Sequence, residues 1–237
     1  MTGLLEGKSG LIVGGSGDMG KAIAKNLSEQ GLRVHLTSRS KDKVDFLAGQ
    51  IGGHGHVLDL ENSSNLEKSL EELMESVGEI PDILVNAAGV FTLDLISNTT
   101  LNIFRQSLKV NLEGPFAVIR CFLPEMVDRG SGVIVNVGSV AGRVAYPENA
   151  SYSSAKYGLR GLHEVLVEEI RKTGIKACLL EPSATSTKMW DSIKPDDNEN
   201  LPSRCEMLDP YDVAHAVVFL CTRPANVHIP ILAIESC

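Results

Sequence analysis

Hydrophobic residues along this 237-residue chain follow two alternating patterns. Seven short runs are almost continuously apolar, which is typical of strands that are buried on both faces of a parallel sheet. The runs are Gly10–Gly14, Arg33–Thr37, His56–Leu58, Ile83–Asn86, Val133–Val137, Lys176–Glu181 and Ile229–Ile234. Longer segments of mixed polarity separate them.

Within the longer segments, apolar residues recur three or four positions apart and predict amphipathic helices. Met19, Ala22, Ile23 and Leu27 form one such pattern, which Gly31 ends. The alternation of strands and helices predicts a doubly wound, Rossmann-type α/β fold with seven mostly parallel strands. We expect residues 1–237 to form one domain, with the polar segment 188–207 as a flap.

Composition and charge narrow the possible partners. Apolar residues make up 43% of the chain and the net charge is −8, without basic blocks. This excludes disorder and argues against binding to nucleic acid or an anionic membrane. The first ten residues lack the long apolar stretch of a secretory signal, and no run approaches the ~18 residues that span a bilayer. The five widely spaced cysteines predict free thiols in a reducing cytoplasm.

A glycine-rich stretch, "LIVGGSGDMG" at residues 11–20, follows the first predicted strand. Gly15, Gly17 and Gly20 fit the spacing G-x-G-x-x-G, and Gly14, Gly17 and Gly20 fit G-x-x-G-x-x-G. Such a loop at a helix N-terminus cradles a pyrophosphate with backbone N–H groups. Asp18 lies inside the loop, and we expect its carboxylate to sit at the helix start and turn away from the phosphates.

The end of the second strand bears on the choice of cofactor. Many dinucleotide-binding folds carry an acidic residue here, which holds the ribose 2′-hydroxyl. This chain has Ser38 and Arg39 instead, and no acid before Asp42. Because arginine pairs with a 2′-phosphate, the sequence favours NADP(H) over NAD(H). The alternative is an arginine that is simply exposed at a strand end.

The stretch "ASYSSAKYG" suggests acid–base chemistry. Tyr152 and Lys156 are four residues apart and therefore share one helix face. A nearby ammonium stabilises the phenolate and lowers the tyrosine pKa. Ser139 lies thirteen residues before Tyr152, just after a predicted strand, at the sheet edge where ligands bind. Asn111 follows a long helical run in "LKVNLEGPF".

Together these features resemble the short-chain dehydrogenase/reductase family over essentially the whole chain. "YSSAK" is similar to its Y-x-x-x-K motif, "VNAAG" to its N-A-G motif, and "EPSATSTKM" to its P-G-x-x-x-T stretch. The resemblance implies catalysis by Asn111, Ser139, Tyr152 and Lys156. Tyr152 would donate or accept the proton, Lys156 would lower its pKa and bind the nicotinamide ribose, Ser139 would bind the substrate oxygen, and Asn111 would hold a relay water.

The resemblance also implies a set of cofactor contacts. They are Gly14, Gly15, Ser16, Gly17, Met19, Ser38, Arg39, Asp59, Leu60, Asn86, Ala87, Ala88, Gly89, Tyr152, Lys156, Pro182, Thr185 and Thr187. The expected substrate pocket comprises Val140, Arg143, Tyr146, Ser183, Met189 and Trp190. Arg143 would either hold an anionic substrate group or remain a solvated loop charge.

The chain departs from the family pattern in several places. Val13 and Asp18 replace a threonine and a glycine of the short branch, and Ser183 replaces the glycine of P-G-x-x-x-T. The C-terminal "NVHIPILAIESC" lacks the usual D-G-G, so a subunit contact through the tail is not expected. His54 and His56 suggest a metal only weakly, because no carboxylate or cysteine completes a site nearby.

The sequence therefore predicts an NADP(H)-dependent carbonyl reductase or alcohol dehydrogenase acting on a small molecule. Three alternatives stay open: a 3-oxoacyl carrier-protein reductase, a non-catalytic NADP(H)-sensing scaffold, and an epimerase or lyase. The five acids and three bases of residues 188–207 argue against docking of an acidic carrier. The family resemblance also implies a homodimer or homotetramer packed through the helices near 101–129 and 151–172.

Overall fold

A computed structural model describes residues 3–62 and 65–237. Seven strands form one sheet in the order β3-β2-β1-β4-β5-β6-β7, and every neighbouring pair is parallel. The strands are β1 (Ser9–Val13), β2 (Arg33–Ser38), β3 (His54–Val57), β4 (Ile83–Asn86), β5 (Gly132–Val137), β6 (Ile175–Pro182) and β7 (Ile231–Ile234). The predicted doubly wound α/β fold is therefore confirmed.

Helices connect the strands, as the spacing of apolar residues predicted. They are α1 (Asp18–Glu29), α2 (Lys41–Ile51), α3 (Leu66–Val77), α4 (Leu101–Leu108), α5 (Gly114–Arg129), α6 (Ala150–Glu169) and α7 (Pro210–Cys221). A single π-helical segment, Lys109–Glu113, joins α4 to α5. Such segments frequently occur at functional sites.

The core forms two layers because successive side chains of a strand point to opposite faces of the sheet. In β1, Ile12 belongs to one buried cluster, and Leu11 and Val13 belong to the other. The first cluster includes apolar residues of α1, α2 and α7, and the second includes those of α3, α5 and α6. Both faces are thus covered, which explains why the strands are continuously apolar.

Six of the seven strands differ from the sequence prediction by one or two residues at one or both ends, and three of these differences have a direct backbone explanation. Gly14 lies outside β1 because its φ of +85° turns the chain out of the extended conformation. Strand β3 begins at His54, since His54 pairs with His35 of β2. Strand β7 begins only at Ile231, after Pro230, which has no N–H to donate to the ladder.

The sheet order reverses direction between β1 and β4, and ligands bind at such switch points, beyond the carboxyl ends of the strands. The segment 188–207 lies after β6 and contains three short 3₁₀ turns, at Lys188–Trp190, Pro195–Asp197 and Arg204–Glu206. Within the described residues, no helix combines the length and apolar character needed to cross a membrane.

Candidate active site

The glycine loop between β1 and α1 is shaped by close backbone approaches. A Cβ on Gly14 would lie 2.5 Å from the Cα of Ala88, and Gly14 has a positive φ. A Cβ on Gly20 would lie 2.3 Å from the carbonyl oxygen of Gly14. Gly14 and Gly20 therefore hold the loop against the start of α1, which favours the spacing of Gly14, Gly17 and Gly20 for this turn.

Asp18 is the first residue of α1, where the positive end of the helix dipole favours a carboxylate. Its Oδ2 accepts a hydrogen bond from the backbone N–H of Lys188 at 2.7 Å, and its Oδ1 lies 3.9 Å from Nζ of Lys21. The carboxylate thus ties the first residue of segment 188–207 to the glycine loop. This contact gives the unusual acid inside the glycine motif a structural partner.

A cavity of about 240 Å³ opens beside this loop. Twelve of the predicted cofactor residues line it, namely Gly14, Ser16, Gly17, Met19, Ser38, Arg39, Asp59, Leu60, Ala87, Ala88, Gly89 and Thr187. The glycine backbone lies at the N-terminus of α1, where it can bind the phosphates of a dinucleotide. The cavity continues from there to the cationic side chain of Arg39, near which a ribose would lie.

Arg39 and Ser38 lie at the far end of this cavity. The Arg39 guanidinium forms an ion pair with Glu61, and Gln106 donates a hydrogen bond to the other Glu61 oxygen at 3.1 Å. The Ser38 hydroxyl donates to Ser16 Oγ at 2.9 Å, which joins the end of β2 to the glycine loop. Glu61 was not singled out from the sequence, although it lies two residues after Asp59.

Six of the predicted cofactor residues do not line this cavity; Tyr152, Lys156, Pro182 and Thr185 lie toward β5 and β6, and Gly15 and Asn86 have other surroundings. Gly15 donates its N–H to Thr37 O and lines a groove on the opposite side of the loop. Asn86 is buried in β4 and donates to Asn136 Oδ1 at 2.8 Å. Asn136 in turn lies 3.3 Å from Nδ1 of His163, so these amides extend a polar chain across the sheet.

Tyr152, Lys156 and Ser139 meet at the carboxyl edge of β5. Tyr152 and Lys156 lie in the first two turns of α6, and Lys156 Nζ is 5.5 Å from the Tyr152 ring centroid. The ammonium donates a hydrogen bond to the carbonyl of Val137 at 2.8 Å. Ser139 lies two residues after the end of β5; its hydroxyl accepts a hydrogen bond from the Ala141 N–H at 3.1 Å and also interacts with the Tyr152 phenol.

Burial shifts the pKa of both titratable groups. Desolvation raises the pKa of Tyr152 to about 12, and the hydrogen bond with Ser139 opposes that rise. Desolvation lowers the pKa of Lys156 to about 8. The sequence predicted a lowered pKa for Tyr152, but in the structure this pKa is raised. The Lys156 ammonium is directed to Val137 O, and desolvation of the phenol outweighs its effect. The tyrosine is therefore held in its protonated form.

Asn111 lies in the π-helical segment and is fully buried. Its amide donates to Val90 O at 2.9 Å and to Ser107 Oγ at 3.0 Å, while its Oδ1 accepts from Val90 N–H at 3.1 Å. Its side chain therefore fixes the loop after β4. Because these bonds occupy the amide, the structure assigns the side chain a positioning contact beside the catalytic edge.

A second cavity, of about 380 Å³, lies in front of Tyr152. It also contains Ser139, Pro182 and Thr185, and it shares Met19, Thr187 and Met189 with the first cavity. Of the six residues predicted for the substrate pocket, five line it, namely Val140, Tyr146, Ser183, Met189 and Trp190. The two cavities form one groove, from the glycine loop to the tyrosine.

Arg143 is the sixth predicted pocket residue and is absent from that lining. Its Nε lies 3.4 Å from Oε2 of Glu181, and its Nη2 pairs with Glu235. Glu181 is buried in β6 and also binds Arg160 Nη1 at 2.6 Å. Two carboxylates therefore hold the Arg143 guanidinium: Glu181, buried in β6, and Glu235, which itself lies on the wall of the cavity.

Sequence reasoning missed several residues that line the second cavity, among them Phe91, Glu235 and Ser236. Phe91 packs edge-on against both Tyr152 and Trp190, with ring centroids 4.9 Å apart in each pair. Glu235 and Ser236, directly after β7, form another part of the wall. The aromatic side chain two positions after Gly89 was the available signal for Phe91. The tail carried none, because only the pairing of β7 with β6 brings it here.

His54 and His56 take part in a stack of histidine rings. The rings of His35 and His54 are stacked with centroids 5.0 Å apart, and His35 Nδ1 lies 2.9 Å from His56 Nε2. His56 Nδ1 contacts Ser76 Oγ at 2.8 Å. Over residues 3–62 and 65–237, no group of three or more His, Cys, Asp or Glu side chains could hold a metal ion.

Comparison with known proteins places this geometry in context. D-threitol dehydrogenase of Mycolicibacterium smegmatis (strain ATCC 700084 / mc(2)155) is 29% identical, over 93% of this chain and 88% of that protein. A metagenomic short-chain oxidoreductase in complex with NADP shares 27% identity with a TM-score of 0.81, over 99% of both chains. The closed form of serine dehydrogenase complexed with NADP⁺ shares 26% identity with a TM-score of 0.86, over 95% of this chain and 94% of that one.

A model of a whole family agrees with these individual similarities. The model described as short chain dehydrogenase matches residues 8–198, which span the glycine loop, Ser139, Tyr152 and Lys156. This is most of the chain. With its seven-stranded parallel sheet and these matches, the chain belongs to the short chain dehydrogenase family of oxidoreductases.

Proposed function

We propose that this protein is an NADP(H)-dependent oxidoreductase that interconverts a carbonyl and a secondary alcohol. The observation that carries the proposal is the meeting of Ser139, Tyr152 and Lys156 at one end of a groove whose other end is the glycine loop. A bound nicotinamide would supply or accept the hydride. The residues described here bind, orient and handle the proton.

Tyr152 is the proposed general acid in carbonyl reduction. A phenol whose pKa is raised to about 12 keeps its proton at neutral pH, so it can donate that proton to a carbonyl oxygen that gains charge. Ser139 provides a second hydroxyl beside the phenol, suited to hold the same oxygen. In the oxidation direction, the tyrosine takes the proton of the alcohol, which becomes easier as the pH rises.

Lys156 is the proposed positive charge next to this proton transfer. Its ammonium is anchored on Val137 O and lies beside the Tyr152 ring, so it favours negative charge on the phenol oxygen. We expect the same ammonium to bind the ribose hydroxyls of a cofactor, since only one of its three N–H groups is used by Val137 O. Asn111, through Val90, holds the loop that borders the groove between its two ends.

The preference for NADP(H) over NAD(H) rests on Arg39. Its guanidinium lies on the wall of the first cavity at the end of β2, where a 2′-phosphate would need a cation. NADP in the two solved relatives supports the same choice. The phosphate would compete with Glu61, which already pairs with Arg39.

We further propose that the chain forms a homo-oligomer and functions in the cytoplasm. Leu101 of α4, Phe116 of α5, and Tyr157 and Val165 of α6 are large hydrophobic side chains that remain substantially exposed. They lie on the helices for which the sequence predicted subunit packing. The five cysteines are unpaired, which is compatible with a reducing compartment.

The test is a panel of ketones and secondary alcohols with NADPH and NADH side by side, read at the dihydronicotinamide absorbance. We expect consumption of NADPH with ketones, at a kcat/KM at least tenfold above that with NADH. Arg39→Ala should remove most of this preference, while Arg171→Ala, a change of the same type at an exposed ion pair far along the chain, should keep it. Cofactor binding without consumption for every ketone and alcohol would refute the proposal.

A further inference from the structure

The walls of the second cavity are mainly apolar. Phe91, Leu93, Val140, Trp190, Leu201 and Pro202 surround the space in front of Tyr152, and Tyr146 lies at its exposed edge. Phe91 and Trp190 pack against each other, so they present a continuous aromatic surface next to the catalytic phenol. A substrate held here would bury apolar groups against these walls.

Several polar groups of the same cavity already have partners. The Ser183 hydroxyl accepts a hydrogen bond from Ser236 N–H at 3.3 Å, and the Thr185 hydroxyl donates to Ser183 O at 3.1 Å. Ser139 Oγ accepts a hydrogen bond from Ala141 N–H at 3.1 Å, and its hydroxyl hydrogen and the Tyr152 phenol can still bind a reacting oxygen. Asn149 Oδ1 is a buried acceptor of the same cavity without a partner among the described residues. This set suits one carbonyl or hydroxyl group and at most one further donor, rather than a chain of hydroxyls that each need a partner.

Charge in the cavity points the same way. Among the lining residues that the structure describes, Glu235 is the only charged one, and it is acidic. The cations Arg143 and Lys156 lie near the cavity without lining it: Arg143 is held by Glu235 and the buried Glu181, and Lys156 is buried beside Tyr152 and donates to Val137 O. A substrate carboxylate or phosphate would therefore meet a negative side chain without a free positive one.

Two departures from the family motif build this wall together. Ser183 stands where the family has glycine, and the tail after β7 differs from the usual one. The N–H of Ser183 donates to Ile234 O at 2.9 Å, and the Ser183 hydroxyl accepts from Ser236 N–H. The serine side chain thus fastens Glu235 and Ser236 at the pocket, where glycine would have no side chain to do so.

We infer that the preferred substrate is an uncharged ketone, or the matching secondary alcohol, that carries a sizeable alkyl or aryl group. This inference rests on the proposed function, because it concerns the substrate of the same site. It predicts selection against keto acids and polyols. The selection comes from the apolar walls, from the negative charge of Glu235 and from the ion pairs that already hold Arg143.

The test uses Trp190, the single tryptophan of the chain, as an internal probe of the pocket. In the Tyr152→Phe protein saturated with NADP⁺, its fluorescence is titrated with 2-pentanone, 2-hexanone and 2-heptanone. We expect the dissociation constant to fall about fourfold for each added methylene, the fold-change that corresponds to one buried CH₂ group. 5-Oxohexanoate, similar in length to 2-heptanone, should bind at least tenfold more weakly.

Two pairs of variants test the walls themselves. Leu93→Asp should weaken the binding of 2-heptanone at least tenfold, while Leu95→Asp, at an exposed position outside the cavity, should leave it unchanged. Glu235→Gln should lower the ratio of the dissociation constant for 5-oxohexanoate to that for 2-heptanone about tenfold. Glu199→Gln, in the exposed part of segment 188–207, should not change this ratio.

The outcomes separate this inference from the proposed function. A flat or inverted dependence on chain length, or equal binding of 5-oxohexanoate and 2-heptanone, would overturn the inference even if the wild-type enzyme reduces ketones. A dissociation constant that falls with ketone chain length would support the inference even if the wild-type protein oxidised no NADPH with any ketone. That second result would refute only the proposed reaction. The chain-length series requires only that Tyr152→Phe folds, and this substitution keeps the ring that packs against Phe91.

Discussion

Two pairs of titratable side chains lie on the same sheet and differ in their surroundings; Lys156, His35 and His56 are buried, and Tyr152 is half-buried. Tyr152 and Lys156 lie beyond the carboxyl end of β5, and Tyr152 lines a cavity of about 380 Å³. His35 and His56 lie inside β2 and β3, with their rings stacked and hydrogen-bonded to one another. Desolvation lowers the pKa of Lys156 to about 8 and that of His56 to about 4.

The comparison shows that a shifted pKa by itself does not mark a catalytic group. The phenol of Tyr152 can reach a ligand because a cavity opens in front of it. The nitrogens of His56 face His35 and Ser76, so a ligand has no access to them. We therefore expect the first pair to control turnover and the second pair to control stability in acid.

Replacement of Tyr152 should have the largest effect. Tyr152→Phe removes the proton donor and keeps the ring that packs against Phe91. We expect kcat for ketone reduction to fall by about 10³- to 10⁴-fold, at the upper end of what general acid catalysis contributes. Stopped-flow or steady-state assays measure the rate. A fluorescence titration measures the dissociation constant for NADPH, which should change less than threefold.

The matched control is Tyr157→Phe, the same substitution at an exposed tyrosine of the same helix. It should leave both rate and binding unchanged. A Tyr152→Phe enzyme with a near-normal rate would break the distinction between the two pairs, because the residue facing the cavity would then be dispensable.

The charge of Lys156 should have the next largest effect. Because burial lowers its pKa to about 8, the ammonium loses its proton above that pH. We expect kcat/KM for reduction to be constant below about pH 8 and to fall by up to tenfold per pH unit above it. Lys156→Met should reduce the rate about 100-fold and abolish this alkaline decline.

Lys43→Met, an exposed lysine on α2, is the control and should retain the wild-type profile. An alkaline decline that persists in Lys156→Met would assign it to another group. Melting curves of both variants establish that the fold survives the substitution.

The histidine pair should affect stability in acid by about 3 kcal/mol. The folded-state pKa of His56, about 4, lies below the ordinary value of 6.5. Between these two values the unfolded chain binds more protons than the folded chain, so stability falls as the pH drops from about 6.5 to about 4. His56→Gln should flatten this dependence in urea unfolding curves and leave turnover at pH 7 within twofold of wild type.

His54→Gln changes an exposed histidine of the same strand and should preserve the steep dependence. A His56→Gln enzyme that loses turnover at pH 7, while it remains folded, would contradict the purely structural role of this pair.

Asp18 should show the smallest effect. Asp18→Asn replaces a charged acceptor of the Lys188 N–H by a neutral one, which weakens this hydrogen bond by about 1 kcal/mol. We expect KM for a ketone to rise about fivefold, because segment 188–207 closes the cavity less firmly. Asp42→Asn, an exposed acid at the start of α2, should leave KM unchanged.

A different result would change the interpretation of the glycine loop. If Asp18→Asn left KM unchanged and tightened NADPH binding more than tenfold, the main effect of the carboxylate would be repulsion of the phosphates. The contact with Lys188 would then be incidental.

Much of the fold followed from the sequence because local patterns and burial agree. All seven strands and the helices marked by Met19, Leu66 and Leu159 form where the apolar spacing placed them. The small differences occur where one backbone group decides the end of a strand, as at Gly14 and Pro230. Such ends depend on single dihedral angles or a missing N–H, to which periodicity is insensitive.

The site was less predictable where side chains choose among several partners. The placement of Tyr152 and Lys156 on one face of a helix follows from their spacing alone. The direction of the Tyr152 pKa does not, because it depends on how much water the fold removes. Arg143 was likewise predicted to line the substrate pocket because it lies close to Ser139 in the sequence. In the structure, Glu181 and Glu235, which are distant in the chain, bind it.

The sequence by itself determined the order of strands and helices, the glycine turn and the spacing of the catalytic residues, because these features arise from short-range geometry and burial. Only the tertiary structure decided that Asp18 binds segment 188–207, that Ser183 fastens the tail to the pocket, and that the histidines stack inside the sheet. These contacts join residues far apart in the chain, and their energies depend on which partners the packed sheet brings within hydrogen-bond distance.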